Sequence, residues 1–400
     1  MPRLLIINIT RNQGSTGKIA EQTGLLMKQR GWEVFLAHGA RFLSPSALET
    51  YQIQSVRGEY LHALKSMLLD ADGLGSDAAT KRLVEYIKEI KPDVIHIHNL
   101  HGYYVNYKVL FTYLNATSFP VVITMHDCWY LTGHCVHFVT ADCSRWLTGC
   151  GNCPQIHSVP RSLFVDNSAR NYRLKRQLIA ANKHLTIVCV SQWLEQYVRQ
   201  SMYKEHDIRL IHNGIDLDVF RPAASVHNKR IRILGIGNPW SKAKGLYDIF
   251  KLRSILPEKD YEIVLVGLSP KQLKALPEGI TGLPPTYNQQ ELARIYSHSD
   301  IFINPTYADT FPTTNIEAIA SGLPVVTYRT GGSPETISSD TGIVVEQGDV
   351  EALAAAIKHL REHPIPREHC RKRAETLYNK DERFADYVNL YESLIQHIKS

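Results

Sequence analysis

Asp309 and Glu317 stand eight residues apart in the most informative run of the chain, Asn304-Pro305-Thr306-Tyr307-Ala308-Asp309-Thr310-Phe311-Pro312-Thr313-Thr314-Asn315-Ile316-Glu317, which begins where a short apolar strand ends. Thr313 or Thr314 can cap a helix with Glu317 in its first turn, and Gly322-Leu323-Pro324 closes that helix before the next strand. A helix start beyond the carboxyl end of a strand presents unpaired N–H groups to a diphosphate. Glu317 could accept hydrogen bonds from two vicinal ribose hydroxyls, and Asp309 could do the same for the hydroxyls of a sugar. An acid early in a helix also serves simply to complement the dipole.

A second candidate is Asn12-Gln13-Gly14-Ser15-Thr16-Gly17-Lys18-Ile19. A phosphate loop that holds magnesium needs Gly, four spacers, then Gly-Lys followed by Ser or Thr. Asn12 replaces the first Gly and Ile19 the hydroxyl, so kinase or ATPase chemistry of that type is excluded. What survives is a loop with Gly14 and Gly17 between a strand at Leu4–Ile9 and a helical pattern at Ile19, Thr23, Leu26 and Met27. It reads as an anion cradle or as a tight turn.

Five of the seven cysteines crowd between Cys128 and Cys153. In a reducing compartment such a cluster points to metal before disulfides. Cys135, Cys143, Cys150 and Cys153 end in a Cys-x-x-Cys knuckle that suits a structural, tetrahedral zinc ion, with His134 and His137 as substitute ligands. Buried free thiols and disulfides are the alternatives.

Four hundred residues exceed what one core usually serves, so two domains are expected. A net charge of +6 suits phosphate-bearing small molecules or an anionic surface and does not by itself indicate nucleic acid. No stretch approaches the ~20 apolar residues that span a bilayer, and the start reads as a core strand with no cleavage pattern, so a cytoplasmic protein is expected. Short apolar runs alternate with helical patterns, which signals parallel sheets covered by helices. Strands are expected at Leu4–Ile9, Glu33–Ala37, Asp93–His98, Val121–Met125, Leu185–Val190 and Arg209–Ile211. A second set is expected at Arg232–Ile236, Glu262–Val266, Ile301–Asn304, Pro324–Thr327 and Gly342–Val345. The two sets imply an α/β protein with two doubly wound sheets. The seam is read at Asn213-Gly214-Ile215-Asp216 through Pro222 and the polar stretch to Lys229. This divides the chain into 1–222, with a cysteine-rich insertion at 128–154, then 223–380, and an amphipathic helix over 381–400.

The acid, seven residues and Glu of Asp309 and Glu317, followed by a small-residue helix and Gly-Leu-Pro-Val, resemble the signature of the family-4 retaining glycosyltransferases. Asp replaces the commoner first Glu. The resemblance extends over nearly the whole chain: Gly14-Ser15-Thr16-Gly17 after the first strand, Thr124-Met125-His126-Asp127, the turn Asn213-Gly214-Ile215-Asp216, and Gly331-Gly332-Ser333-Pro334-Glu335. It implies a GT-B fold, two Rossmann-like domains facing across a cleft, with the first on the acceptor side, the second on the donor side and a last helix crossing back. It also implies transfer of a sugar from a UDP- or GDP-sugar with the anomeric configuration kept, by front-face attack and without a catalytic metal. The catalytic set is then His126, Lys244, Asp309 and Glu317. The donor is held by Gly14, Gly17, Asn238, Lys242, Lys244, Thr310, Phe311, Pro312, Thr313, Thr314 and Glu317. Asn238 occupies the place where the family usually carries Arg, so Lys242 or Arg329 would have to supply the missing charge. Similar cysteine runs occur in the colanic-acid and capsule branch, where they hold a loop near the acceptor.

The acceptor implied is a saccharide, including an oligosaccharide linked to polyprenyl diphosphate, in cell-surface polysaccharide assembly. Arg170, Arg173, Lys175, Arg176 and Lys183 surround an apolar stripe of Leu174, Leu178 and Ile179, a pattern that could rest on the inner face of the membrane or be a solvated surface. Tyr103, Tyr104 and Tyr107 could face a saccharide or pack. The competing class is a sugar-nucleotide-binding protein of the same fold that has lost catalysis, favoured by Asn238. A sugar-nucleotide epimerase would need a carboxylate and His set for which the sequence shows no pattern.

Overall fold

The computed structural model describes residues 1–222, 229–286 and 288–399; part of the expected seam, 223–228, lies outside them. The chain divides into two compact units, Met1–His212 with Arg383–Ser400, and Asn213–Glu382. The switch of units thus falls at Asn213, ahead of Pro222. Among the described residues each unit is built on one sheet, and all strand pairings within both sheets are parallel.

In the first unit the strands are β1 (Arg3–Asn8), β2 (Glu33–His38), β3 (Glu49–Gln52), β4 (Val94–Ile97), β5 (Val121–Met125), β6 (Leu185–Cys189) and β7 (Asp207–Leu210), ordered β3-β2-β1-β4-β5-β6-β7. Leu4 to Ile7 have no exposed surface, as befits a central strand covered by helices on both faces. β3 was not expected from the sequence. Its run Glu-Thr-Tyr-Gln is polar and largely exposed, and it exists because β2 offers an edge at Phe35–His38. The last helix, Lys380–Lys399, lays Phe384, Tyr387, Val388 and Tyr391 into this unit's core beside Leu4, Ile6, Trp32 and Val122.

The second unit contains β8 (Ile231–Ile236), β9 (Tyr261–Val266), β10 (Ile280–Leu283), β11 (Ile301–Asn304), β12 (Val325–Tyr328) and β13 (Gly342–Val345), ordered β10-β9-β8-β11-β12-β13. β10 was also missed, being a short edge strand whose alternation is broken by Gly282. Its core joins Ile233, Ile263, Leu265 and Ile303 of the sheet to Ile249, Leu252, Leu353 and Ile357 of the covering helices. In each sheet the strand order reverses once, between β1 and β4 and between β8 and β11. Loops leaving the carboxyl ends at such a reversal diverge and open a crevice for ligands.

Candidate active site

The loops that leave β8 and β11 are stitched together. The Tyr307 N–H donates to Ala243 O at 2.8 Å, and Lys244 Nζ lies 2.8 Å from Asp309 Oδ2. Asp309 is held further by its own loop, its Oδ1 accepting from Phe311 N at 3.3 Å. Gly331 closes over it: a Cβ there would meet Asp309 O at 1.7 Å, and φ is +54°, so this position of the loop after β12 needs glycine. Gly332 N donates to the same carbonyl at 3.3 Å. The ion pair is partly exposed, with 37% of the Lys244 side chain and 20% of the Asp309 side chain accessible. Lys242, on the same short 3-10 turn, is exposed, and so is Asn238. Arg329, the other candidate for the charge missing at Asn238, is exposed and its Nε pairs with Glu346 at 2.7 Å.

Two expectations about the following helix are corrected. It spans Thr313–Ala320 with Pro312 at the cap and no side-chain cap bond, so neither Thr313 nor Thr314 caps it. Glu317 is therefore the fifth helical residue, in the second turn, too deep to complement the dipole within the first turn. Its Oε2 accepts from the Tyr296 hydroxyl at 2.9 Å. The sequence reading missed both Tyr296 and the buried polar chain that fixes this helix. Asn304 Nδ2 donates to Asn315 Oδ1 at 2.8 Å, Asn315 Nδ2 to Thr336 Oγ1 at 2.9 Å, and Thr336 Oγ1 to Ser333 O at 2.6 Å. Thr310, Phe311 and Pro312 are buried in the loop that leads into the helix, while Thr313 and Thr314 are half-buried. Lys244, Asp309, Thr310 to Thr314 and Glu317 thus share one region of the second unit.

The remaining predicted residues lie in the first unit. The helix after β1 begins at Gly14, so Gly17 sits in its first turn and not in a loop. A Cβ at Gly17 would meet Thr10 Oγ1 at 2.4 Å, which gives this glycine a packing reason for its identity. His126 follows β5, and its Nε2 is 2.9 Å from His98 Nδ1 at the end of β4. Burial lowers the pKa of His126 to about 4 and that of His96 to about 3, and it drives His98 well below the ordinary value. These rings are neutral at neutral pH. Asp127 behaves differently: burial would raise it, yet the His101 ring at 2.7 Å holds it down to about 2. Tyr104 and Tyr107 are wholly buried and pack, so neither faces a saccharide.

Cys135, Cys143, Cys150 and Cys153 line one cavity of ≈ 10 Å³ together with Trp146 and His134. The neighbouring Cys153 and burial push the Cys135 thiol pKa up, and Gly133 N donates to Cys150 Sγ at 3.2 Å. All are free thiols, and among the described residues no three His, Cys, Asp or Glu side chains form a metal-ligand group. One feature fits a metal nonetheless: Asp70 Oδ1 accepts from His134 Nδ1 at 2.5 Å, and His134 Nε2 is buried with no hydrogen-bond partner. The basic helix runs Ser168–Leu178, and in it Lys175 is fully buried, its Nζ donating to Trp129 O at 2.6 Å and Thr132 O at 3.0 Å. Ile179 is buried as well, while Leu174 and Leu178 of the same stripe are half-buried.

Two doubly wound parallel-sheet units, each with one strand-order reversal, are the architecture of the GT-B fold. The chain belongs to glycosyltransferase family 4: the model of that family, "Glycosyltransferase Family 4", matches residues 20–219, and "Glycosyl transferases group 1" matches residues 230–363. Among relatives, the colanic acid biosynthesis glycosyl transferase WcaC of Escherichia coli is 23% identical over 76% of this chain and 77% of its own length. Sucrose-phosphate synthase from Thermosynechococcus elongatus has the same fold at a TM-score of 0.74, with 19% identity over 99% of this chain and 100% of that one. Anabaena HepE, solved in complex with UDP-glucose, superposes at 0.64 with 14% identity, covering 97% of this chain and 99% of its own.

Proposed function

We propose that this glycosyltransferase moves a sugar from a nucleoside-diphosphate sugar to a saccharide acceptor hydroxyl with retention of the anomeric configuration. The observation that carries the reading is the Lys244–Asp309 pair at 2.8 Å, set at the β8–β11 reversal beside the helix that bears Glu317. In the reaction the acceptor oxygen bonds to the anomeric carbon, the bond from that carbon to the diphosphate breaks, and the acceptor proton passes to the departing phosphate oxygen. Charge grows on the diphosphate, where Lys244 and the backbone N–H groups of Thr313 and Thr314 stabilise it. Glu317 takes the ribose hydroxyls and Asp309 the donor sugar. Gly14, Gly17, Asn238, Lys242 and His126 are kept as donor contacts on the family likeness.

A UDP-sugar is the preferred donor, since HepE was solved with UDP-glucose, and GDP is the alternative base. The likeness to WcaC supports polysaccharide assembly as the setting; a polyprenyl-linked oligosaccharide is the acceptor class carried over from the family resemblance. The test is a panel of UDP- and GDP-sugars with purified protein, followed by analysis of the anomeric linkage in the product. A new glycosidic bond of the donor's configuration supports the reading. Tight UDP binding without turnover on any acceptor supports the lapsed binding protein instead.

A further inference from the structure

Three histidine rings stand side by side where β4 and β5 end. His96 and His98 are wholly buried, while His126 keeps some accessible surface. The ring centroids of His96 and His98 are 4.1 Å apart, and those of His98 and His126 are 5.2 Å apart. Burial keeps all three rings neutral at neutral pH. A neutral imidazole has one N–H and one accepting nitrogen, so a hydrogen bond between two such rings sets the tautomer of both.

His96 is engaged at both nitrogens. Its Nδ1 meets the Tyr391 hydroxyl at 2.6 Å and its Nε2 the Thr124 hydroxyl at 2.8 Å. The Thr124 hydroxyl in turn meets that of Tyr387 at 3.0 Å, so the last helix holds this ring from two of its positions. His96 therefore has no nitrogen to offer the His98 ring beside it. His98 is fixed through its backbone, its N–H donating to Ile7 O at 2.9 Å and its carbonyl accepting from the Tyr130 hydroxyl at 2.5 Å. On the ring, Nδ1 lies 2.9 Å from His126 Nε2, and among the described residues Nε2 has no hydrogen-bond partner. The single proton of His98 sits on one of these two nitrogens. On Nε2 it would be a buried N–H without an acceptor, which folded proteins rarely keep; on Nδ1 it reaches His126 and leaves behind only a bare lone pair. The second arrangement is the favoured one. His126 Nε2 is then the accepting nitrogen, and the proton of His126 is on Nδ1.

We propose that His98 is a positioning residue that locks His126 as its Nδ1–H tautomer, so that His126 meets the substrate as a hydrogen-bond donor and not as a base. With Nε2 accepting from His98, the ring has no nitrogen to take the proton of the acceptor hydroxyl, which passes instead to the departing phosphate oxygen. The consequence for transfer rests on the reading of His126 as a contact to the donor sugar; the lock itself does not.

Nitrogen-15 NMR of the full chain labelled at histidine reads the tautomer without substrate, the His126 signals being those lost in His126→Asn. The parent should show His126 protonated on Nδ1 and bare on Nε2. His98→Phe keeps a ring in the row and removes its N–H, so it should let the Nε2–H form of His126 appear. It should also lower kcat about tenfold, the worth of one hydrogen bond made in the transition state, while affinity for UDP, which lacks the sugar, stays within about twofold. His98→Asn puts an amide N–H where Nδ1–H stands and should restore the parental signature, with kcat within about threefold of the parent. A proton on His126 Nε2 in the parent overturns the proposal even if His98→Phe fails to fold. A His126 signature unchanged in a folded His98→Phe also overturns it, and so does a changed signature with turnover unaffected. Absence of transfer by the parent itself counts against the proposed function and not against the lock, which the NMR measures alone.

Discussion

Lys244 and Asp309, 65 residues apart in sequence, meet at 2.8 Å where the loops after β8 and β11 converge. The ammonium that the proposed reaction requires for a diphosphate is thus already partnered by the carboxylate proposed to hold the sugar. Because both groups are partly exposed, their attraction contributes little to folding, on the order of 0–1 kcal/mol. Lys244→Ala should leave the melting temperature nearly unchanged and reduce kcat by about a hundredfold or more, as loss of a charge-stabilising donor does. A stopped assay with a saturating UDP-sugar measures it; transfer within about twofold of the parent would remove Lys244 from the assignment.

Asp309→Asn separates the two partners. It releases Lys244 from its countercharge, so affinity for the free nucleoside diphosphate should hold or rise while sugar transfer falls. Calorimetry with UDP and turnover with the UDP-sugar are the paired measurements. Parallel loss of both would mean that Asp309 acts only by holding the loop through its contact to Phe311 N.

Glu317 is tied to Tyr296 at 2.9 Å, so removing the tyrosine hydroxyl tests how much of its role is orientation. Tyr296→Phe should cost about 0.5–1.5 kcal/mol of stability, the typical net value of one hydrogen bond, and raise KM for the donor more than it lowers kcat. Glu317→Ala should abolish transfer outright. If Glu317→Ala turns over at the parental rate, the ribose contact is not made by this residue.

The neutral histidines predict an acid limit to stability. His126 has a folded pKa of about 4 against an ordinary 6.5, so the unfolded chain binds the extra proton first as pH falls. The stability this group contributes is whole above pH 6.5 and is lost as pH drops through 6.5 toward 4; His96, at about 3, extends the loss to lower pH. Melting temperature against pH should decline across that window, and His126→Asn should flatten its upper part.

Metal content tests the cysteine cluster. If Cys135, Cys143, Cys150 and Cys153 hold structural zinc, as their spacing suits, elemental analysis should find about one zinc per chain, lost in Cys153→Ser together with several degrees of melting temperature. A metal-free preparation with four titratable thiols would make the cluster a thiol pocket packed around Trp146.

Much of this protein was legible in its residues. The apolar runs at Val121–Met125 and Ile301–Asn304 appear as strands with the expected bounds, because a parallel strand buried on both faces must be apolar throughout. The loop and helix motifs around Asp309 and Glu317 were visible because a short spacing keeps them on one connection. β3 and β10 were not legible, since polar edge strands are made by the neighbour they pair with and carry no pattern of their own. Lys175 looked like a surface cation and is buried; the carbonyls of Trp129 and Thr132 and the Trp129 ring, contributed by a segment more than 40 residues away, make that placement tolerable. Tertiary structure alone decided that Arg329 belongs to Glu346, that Asn315 anchors the helix of Glu317, and that Val56–Leu69 shows its leucines to the outside. Periodicity records that a helix has two faces. Which face is buried depends on partners such as Arg41 and Gly75, which chain topology brings to it from elsewhere.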